Sequence, residues 1–320
     1  MQTIASIHDI TFVSELSQHD LDGRPFRRGV KRGDAVRIHR GAYLPMSVWR
    51  TLDSHEQYRY QVIAATGASR THPVLSHRSA AVVWGVPLIG PIPRLVDVLA
   101  SEAAGSRTEG SFRRHATKHI DSEIEVVDGV AITSLRRTII DLALTLPFPA
   151  AVAALDWAIR PGTPQTPKPY VTLDDLFEAV GVLEVTRGLR RVSRAIEFGD
   201  CISGSPGESV SRAVIHELGF PVPVLQKRFD DRLGLIGFTD FWWPEFRLIG
   251  EFDGLAKYIR EQYRKGLSVN DVVMAEKKRE DRLRALGPSV ARWCWENVMA
   301  PRSLFALLRE AGLPSSRLSA

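Results

Sequence analysis

The sequence predicts a protein of the α/β (α+β) class that is divided into several domains. Its 320 residues exceed the size at which one compact core is commonest, so more than one domain is expected. Segments with a helical spacing of apolar residues alternate with short strand-like runs. The last third has a readable order of one helix, three strands, a second helix and a fourth strand. These three observations predict mixed secondary structure in separate compact regions.

The composition is that of an ordinary globular protein, with 44% hydrophobic and 25% charged residues. The chain opens without a basic segment followed by an apolar run, and no stretch offers about 20 uninterrupted apolar residues. We therefore expect a cytoplasmic protein with no membrane partner. Cys201 and Cys294 lie far apart without metal-ligand spacing, so neither a zinc site nor a disulfide framework is supported.

The formal net charge of +5 is compatible with a polyanionic partner without requiring one. The distribution of charge is more informative, because residues 21–40 hold seven basic side chains against Asp22 and Asp34. The basic side chains are Arg24, Arg27, Arg28, Lys31, Arg32, Arg37 and Arg40.

Residues 9–45 predict a small winged helix. We expect a helix over 11–17, a basic helix over 25–32, and an alternating strand-like wing after Gly33. Such a helix and wing contact the phosphates and grooves of DNA. The expected DNA-binding side chains are Arg27, Arg28, Lys31 and Arg32 on the helix, and Arg37 and Arg40 on the wing. The alternative is a basic helix that is merely solvated.

The middle of the chain predicts a mixed region of helices and strands. The predicted helices cover 54–66, the segment SHRSAAVVWG after Ser76, the segment SLRRTIIDLALTL after Thr133, 173–180 and 186–198. The predicted strands cover 94–100, 112–118 and 124–132. The proline-rich residues 161–169 predict an exposed loop.

The C-terminal region begins with a helix signal, Ser205-Pro206-x-Glu208. Strands over 222–229, 235–243 and 246–253, a charged helix over 271–286 and a strand over 290–295 complete the order αβββαβ. The expected domains are therefore a winged-helix-like domain (1–50), a mixed α+β domain (51–160), a linker with helices (161–204) and the αβββαβ domain (205–315).

That order is the common core of the PD-(D/E)XK nuclease superfamily. The matching segments are PGESVSR, GFTDFWWP, GEFDGLAKY, EKKREDRLRALG and ARWCWENV. Over residues 206–297 they resemble actinobacterial restriction-endonuclease-like domains related to very-short-patch repair endonucleases. The resemblance implies hydrolysis of DNA phosphodiester bonds, in defence or repair, with Mg²⁺ or Mn²⁺ as cofactor.

The resemblance places Asp240 and Glu251 at metal-binding positions on adjacent strands. A hard divalent cation takes oxygen ligands and must also reach the scissile phosphate. Asp253 points to the same face as Glu251 because strands have a period of two. Glu208 occupies the helix position that supplies a further acidic ligand in many of these folds. The expected metal ligands are thus Asp240, Glu251 and Glu208.

The third strand departs from the superfamily pattern, since Asp253 stands where lysine is usual. Lys257 is then the expected substitute that orients or deprotonates the attacking water. The expected catalytic residues are Asp240, Glu251, Asp253 and Lys257. If Lys257 does not reach the site, the domain binds metal without cutting or is vestigial.

Several of these residues have a purely structural alternative. Glu208 is also the capping-box glutamate of its helix, and Asp253 is also a typical turn residue. The acidic and basic residues of EKKRED lie at i,i+4 spacing, which usually marks a solvated face. Gln226 is a weak candidate for a hydrogen bond near the metal. Arg292 and Trp293 fit either nucleic-acid contact or, for the tryptophan, the core.

The first 150 residues resemble AbiEi-type antitoxins and transcriptional regulators, which begin with a winged helix. The resemblance depends on RRGVKRGDAVRIHRGAYLP, SHRSAAVVWGVPL and GVAITSLRRTIIDLA. Two functional classes therefore remain open. One is a metal-dependent nuclease with DNA as partner, and the other is a DNA-binding antitoxin-like regulator whose nuclease fold is catalytically silent and whose partner is a toxin or defence-system protein. Nucleotide-driven, hydride-transfer and serine-hydrolase classes have no matching motif.

Overall fold

The computed structural model describes residues 9–14, 23–118, 123–164, 167–168, 170–183, 187–254 and 269–317. They form a mixed α and β protein, which confirms the predicted class. The chain divides into two compact units, the first of Met1–Leu146 with Pro161–Glu197 and the second of Pro147–Arg160 with Phe198–Ala320. In the ranges given above, no helix is long and apolar enough to cross a lipid bilayer.

The first unit opens with a small antiparallel sheet and a basic helix. The sheet consists of β1 (Thr11–Phe12), β2 (Ala35–His39) and β3 (Ala42–Pro45) in the order β1-β3-β2. Helix α1 (Arg24–Arg32) ends at Gly33, whose left-handed φ of 84° suits a helix C-terminus. The prediction of a helix from residue 11 was wrong for Thr11 and Phe12, which form β1. Phe12 is buried against the apolar side of this sheet.

The rest of the first unit carries further strands and helices. A sheet of β4 (Val96–Ser101), β5 (Arg107–Glu109) and β6 (Phe112–Thr117) has the order β4-β6-β5, with β4 and β6 parallel. Strands β7 (Ile124–Val127) and β8 (Val130–Thr133) form a hairpin. Its helices are α2 (Met46–Trp49), α3 (Ser54–Gly67), α4 (His77–Trp84), α5 (Leu135–Thr145), α7 (Leu173–Val182) and α8 (Leu189–Glu197), whereas α6 (Phe148–Ile159) lies in the second unit.

The prediction of a single strand over 124–132 was wrong, because a turn divides this segment into two strands. Asp128 and Gly129 have left-handed φ angles of 52° and 75°, which produce a tight turn between two short strands. Ser134 caps α5, and its side chain accepts a hydrogen bond from the backbone N–H of Arg137.

The second unit holds a four-stranded mixed sheet. Strands β9 (Val224–Asp231), β10 (Gly234–Trp243) and β11 (Leu248–Phe252) are antiparallel neighbours, and β12 (Ser289–Trp293) pairs parallel to β11. The helices are α9 (Pro206–Glu217), α10 (Val269–Ala285), α11 (Trp295–Met299) and α12 (Pro301–Glu310). The described elements from α9 to β12 follow the predicted order αβββαβ.

The core of the second unit lies between α9 and the sheet. Trp243 and Trp293 are almost completely buried, and the Trp293 indole N–H donates to the Ser211 hydroxyl of α9 at 2.9 Å. A Cβ atom at Gly207 would lie 2.0 Å from the Phe252 ring, so this glycine permits the close approach of α9 to the end of β11. Because Trp293 is 2% exposed, it is a core residue and does not stack on nucleic acid.

Candidate functional site

Asp240 and Glu251 lie side by side on neighbouring strands. The register that pairs Phe241 with Gly250 sets Asp240 opposite Glu251, and directly opposed residues of an antiparallel pair point to the same face. Both side chains line one cleft of about 380 Å³. The fold therefore brings together the two carboxylates that the sequence singled out.

Asp240 is hydrogen-bonded within the sheet. Its Oδ2 accepts from the backbone N–H of Phe252 at 2.8 Å, and its Oδ1 lies 3.5 Å from the amide nitrogen of Gln226. A carboxylate among aromatic residues needs such partners. Gln226, a weak candidate from the sequence, is thus a neighbour of Asp240 in the cleft.

Glu208 reaches the same cleft from the first turn of α9. Its Oε2 accepts from the backbone N–H of Gly204 at 2.7 Å and from the Gln226 amide at 2.9 Å. Its Oε1 accepts from the Ser205 hydroxyl at 2.8 Å, and that hydroxyl caps α9 by accepting from the Glu208 backbone N–H at 3.3 Å. The predicted capping box is incomplete, because the Glu208 side chain accepts from the backbone N–H of Gly204 rather than of Ser205. The amide of Gln226 bridges Glu208 and Asp240.

Glu251 is held by two arginines that sequence reasoning did not join to it. Arg279 of α10 donates to Oε1 at 2.7 Å and to Oε2 at 3.2 Å, and Arg292 of β12 lies 3.0 Å from Oε2. Burial lowers the pKa of Arg279, but hydrogen bonds and charge from Glu251 outweigh burial, and the net effect raises that pKa. The same balance, with Glu276 as hydrogen-bond partner, raises the pKa of Arg292. Both guanidinium groups therefore stay charged.

Two acidic residues of α10 also belong to this network. Glu276 pairs with Arg279 at 2.9 Å and with Arg292 at 2.7 Å, and Glu280 lies 3.1 Å from Arg292. The interpretation of the EKKRED segment as a solvated i,i+4 face was therefore wrong for Glu276. Its partner on β12 is sixteen residues away in sequence, and spacing along one helix gives no signal for such a pair.

The cleft carries an excess of negative charge. Its lining includes five carboxylates and two guanidinium groups, a formal charge of −3. The carboxylates belong to Glu208, Asp240, Glu251, Asp253 and Glu276. Asp253 stands at the end of β11, where its backbone N–H donates to the Trp293 carbonyl at 2.8 Å. Lys257 lies outside the residues that the structure describes.

The donors of the cleft fit a divalent cation in chemical type, since they are hard carboxylate oxygens near an amide. Their present contacts compete with such a cation, because both oxygens of Glu251 face guanidinium groups. In the described part of the chain, no three His, Cys, Asp or Glu side chains are arranged to hold a metal ion. Metal binding at Asp240 and Glu251 thus requires Arg279 to leave Glu251.

The basic segment of the first unit is exposed. The six side chains expected on DNA are all at the surface: Arg27, Arg28, Lys31, Arg32, Arg37 and Arg40. Arg32 pairs with Asp34 at 2.9 Å in an open position where both side chains remain well solvated. Helix α1 turns its buried Gly29 inward, so its basic side chains face solvent.

Comparison with known proteins yields two relatives and no matching family model. Both relatives are described as uncharacterised proteins of Mycobacterium tuberculosis, one from strain CDC 1551 and one from strain H37Rv. Each is 27% identical to this chain over 138 residues, which cover 43% of the chain and 48% of the relative. The chain spans about half the length of the curated relatives that it matches.

Proposed function

We propose that the second unit hydrolyses phosphodiester bonds of DNA with a divalent metal ion, and that the basic segment of the first unit binds the DNA. The observation that carries this proposal is the juxtaposition of Asp240 and Glu251 at one polar cleft on adjacent strands. The proposed setting is the cytoplasm, in defence or repair.

Charge supports a cation in this cleft. Five carboxylates against two guanidinium groups attract Mg²⁺ or Mn²⁺ and repel phosphate when no cation is bound. Asp240 and Glu251 would hold the ion, with Glu208 and Gln226 fixing the position of Asp240. When bound, the ion supplies Lewis acidity toward a phosphate oxygen and lowers the pKa of a bound water.

Arg279 and Arg292 supply cationic charge at the cleft. Asp253 stands in place of the usual lysine, and these two arginines contact Glu251 from α10 and β12. A guanidinium group binds phosphate through paired N–H donors but does not serve as a base. We therefore assign them to phosphate contact and leave proton abstraction to Lys257 or to a carboxylate.

A cleavage assay tests the proposal. Wild-type protein is expected to cut plasmid or single-stranded DNA with Mg²⁺ or Mn²⁺ but not with EDTA. Asp240→Asn should slow cleavage by on the order of 100-fold or more because a ligand charge is lost. DNA binding should persist because affinity for a polyanion comes chiefly from basic residues. Asp230→Asn, an exposed change on β9 away from the cleft, is the control.

If Asp240→Asn cleaves DNA as fast as the wild type, the activity does not come from this cleft. Absence of cleavage with every substrate and metal would favour the second function, an antitoxin-like DNA-binding regulator with a silent nuclease fold. Two observations favour that alternative: Glu251 already has two arginine partners, and Asp253 replaces the motif lysine. Its proposed partners are DNA and a cognate toxin or defence-system protein.

A further inference from the structure

A second polar cavity lies within the first unit, apart from the candidate nuclease cleft. It has a volume of about 300 Å³ and is bounded by residues of α4, β6 and α5 and by Leu183 and Arg187. Its polar lining includes His77, His115, Thr117, Arg137, Asp141 and Arg187. Part of the wall is aliphatic, so the cavity suits a ligand with one polar and one apolar side.

Two histidines meet at this cavity. The imidazole rings of His77 and His115 are stacked with centroids 3.7 Å apart. His115 Nε2 lies 2.8 Å from the carboxylate of Asp97, which is 1% exposed. His77 has a left-handed φ of 48°, although it is not glycine and begins a helix. A non-glycine residue keeps such a backbone conformation only where the surrounding structure holds it. Residues of this kind are common at binding sites.

Asp141 is a buried carboxylate that is only partly satisfied. Its Oδ1 accepts from Nε of Arg137 at 3.2 Å, whereas Oδ2 has no hydrogen-bond partner in the structure as described. Nδ1 of His77 lies 3.7 Å from Oδ2 and 3.0 Å from the Ser76 hydroxyl. An unsatisfied buried acceptor is costly and rare in folded proteins. A proton on His77 would place a second positive charge beside Asp141, on the side of its Oδ2.

The charges that face His77 decide when it becomes protonated. Burial has the largest effect on the pKa of His77 and lowers it. The neighbouring His115 and Arg137 lower this pKa further, whereas Asp141 and Asp97 raise it. At neutral pH the imidazole is therefore uncharged. An anion in the cavity would add negative charge beside His77 and shift the balance toward the protonated form.

The ligand class follows from the lining charges. Apart from the two histidines, the charged lining residues are Arg137, Arg187 and Asp141, a formal charge of +1. Arg187 is exposed and can meet an incoming anion, while Arg137 is buried and already holds Asp141 and Thr117. An anionic group with an organic substituent fits both the guanidinium groups and the aliphatic wall, and a phosphate monoester has both.

We propose that this cavity binds a small phosphate monoester, such as a mononucleotide, and that binding is coupled to protonation of His77. The site is independent of the proposed nuclease cleft, because all of its residues belong to the first unit.

Isothermal titration calorimetry of the full chain with AMP and with inorganic phosphate tests the proposal. Titrations at pH 7 in buffers of different ionisation enthalpy measure the protons taken up on binding. We expect AMP to bind more tightly than inorganic phosphate, with net proton uptake. Arg187→Ala should weaken AMP binding by about tenfold or more, because a charge-assisted contact is lost. Arg190→Ala removes an exposed arginine three residues further on, outside the cavity lining, and should leave the affinity unchanged.

His77→Asn should abolish the proton uptake, and asparagine tolerates the left-handed backbone, so this variant is expected to fold. Asp240→Asn should bind AMP like the wild type, which separates this site from the nuclease cleft. The proposal is overturned if AMP does not bind, if inorganic phosphate binds equally well, or if Arg187→Ala binds AMP with wild-type affinity. Proton uptake that persists in His77→Asn would overturn the coupling.

Discussion

At the scale of single residues, Glu251 is the centre of the candidate nuclease site. The residue is 7% exposed, and a carboxylate so buried is costly unless a cation pairs with it. Arg279 and Arg292 meet that requirement in the structure described here. A metal ion at Glu251 must therefore compete with a guanidinium group that is already in place.

Replacing Arg279 by methionine should strengthen Mn²⁺ binding to the cleft. The change removes the bidentate competitor at Glu251 and makes the cleft more negative, so we expect affinity to rise by roughly threefold to tenfold. Titration calorimetry with Mn²⁺ measures the effect. Arg284→Met is the matched control, since Arg284 lies on the same helix and pairs with Glu280 outside the cleft lining. Unchanged or weaker Mn²⁺ binding in Arg279→Met would argue against cation binding by Glu251.

Four of the five carboxylates of the cleft were predicted from sequence, whereas Glu276 and the arginine partners were not. Asp240 and Glu251 were named from the resemblance to the nuclease superfamily, and they lie opposite each other on β10 and β11. Arg279 lies 28 residues beyond Glu251 and reaches it only because α10 packs beside the sheet. Gln226 faces Asp240 because of the register of β9 and β10, which shifts at an irregularity between Leu235 and Gly237. No pattern in a single sequence specifies that shift.

At the scale of secondary-structure elements, α10 is fastened to the β9–β10 hairpin by charge and by apolar packing. Arg282 donates to both carboxylate oxygens of Asp231, at 2.6 and 2.8 Å. Leu283 packs beside it against Ile236 and Ile249. The hydrogen bonds from Arg282 lower the pKa of Asp231 to about 2. This contact holds in place the helix that supplies Arg279.

The Asp231–Arg282 contact predicts a specific loss of stability in acid. Because the carboxyl pKa is lower in the folded state, its ionised form stabilises the folded protein at pH values above the unfolded-state pKa of about 4. That stabilisation is lost as the pH falls toward the folded-state pKa of about 2. Asp231→Asn should therefore lower the Tm at pH 6, and the difference from wild type should shrink between pH 4 and pH 2. Thermal unfolding followed by circular dichroism measures it.

Asp230→Asn is the neighbouring control, because Asp230 pairs with Arg228 on its own strand and does not join two elements. Its effect on the Tm at pH 6 should be smaller. A difference between Asp231→Asn and wild type that stays constant from pH 6 to pH 2 would contradict a stabilising ionic contact at Asp231.

The order of elements in the second unit was predicted from sequence, whereas helix α6 and its ion pair were not. The αβββαβ order was correct because each element has its own periodicity and end signals. Helix α6 was not predicted, since FPAAVAALDWAI is apolar nearly all round and shows little helical period. Its buried Asp156 pairs with Arg212 of α9 at 2.8 Å, 56 residues further on, and only the folded structure shows this pair.

At the scale of the whole molecule, the basic segment and the acidic cleft belong to different units. The basic segment around α1 belongs to the first unit, whereas the cleft with a formal charge of −3 belongs to the second. A cleft of that sign does not attract a polyanion by itself. The affinity for DNA should therefore come mainly from the basic segment.

Replacing Arg27, Arg28, Lys31 and Arg32 together by alanine should weaken DNA binding and flatten its salt dependence. Each lost phosphate contact reduces the magnitude of the slope of log K against log salt by about 0.9. Loss of four contacts should therefore reduce this slope by roughly 3 to 4. Fluorescence anisotropy over a range of salt concentrations measures this slope. A control variant with the same charge loss replaces four exposed arginines elsewhere, Arg70, Arg94, Arg190 and Arg302. Equal slopes for the two variants would show that the basic segment makes no special contact with DNA.

Anomalous X-ray scattering from crystals of the full chain grown with Mn²⁺ tests metal binding by the cleft most directly. We predict an anomalous peak in contact with the carboxylates of Asp240 and Glu251, with Arg279 moved away from Glu251, and no such peak in Asp240→Asn crystals. A map without manganese at these carboxylates, in which Arg279 and Arg292 still hold Glu251, would contradict the metal-dependent nuclease.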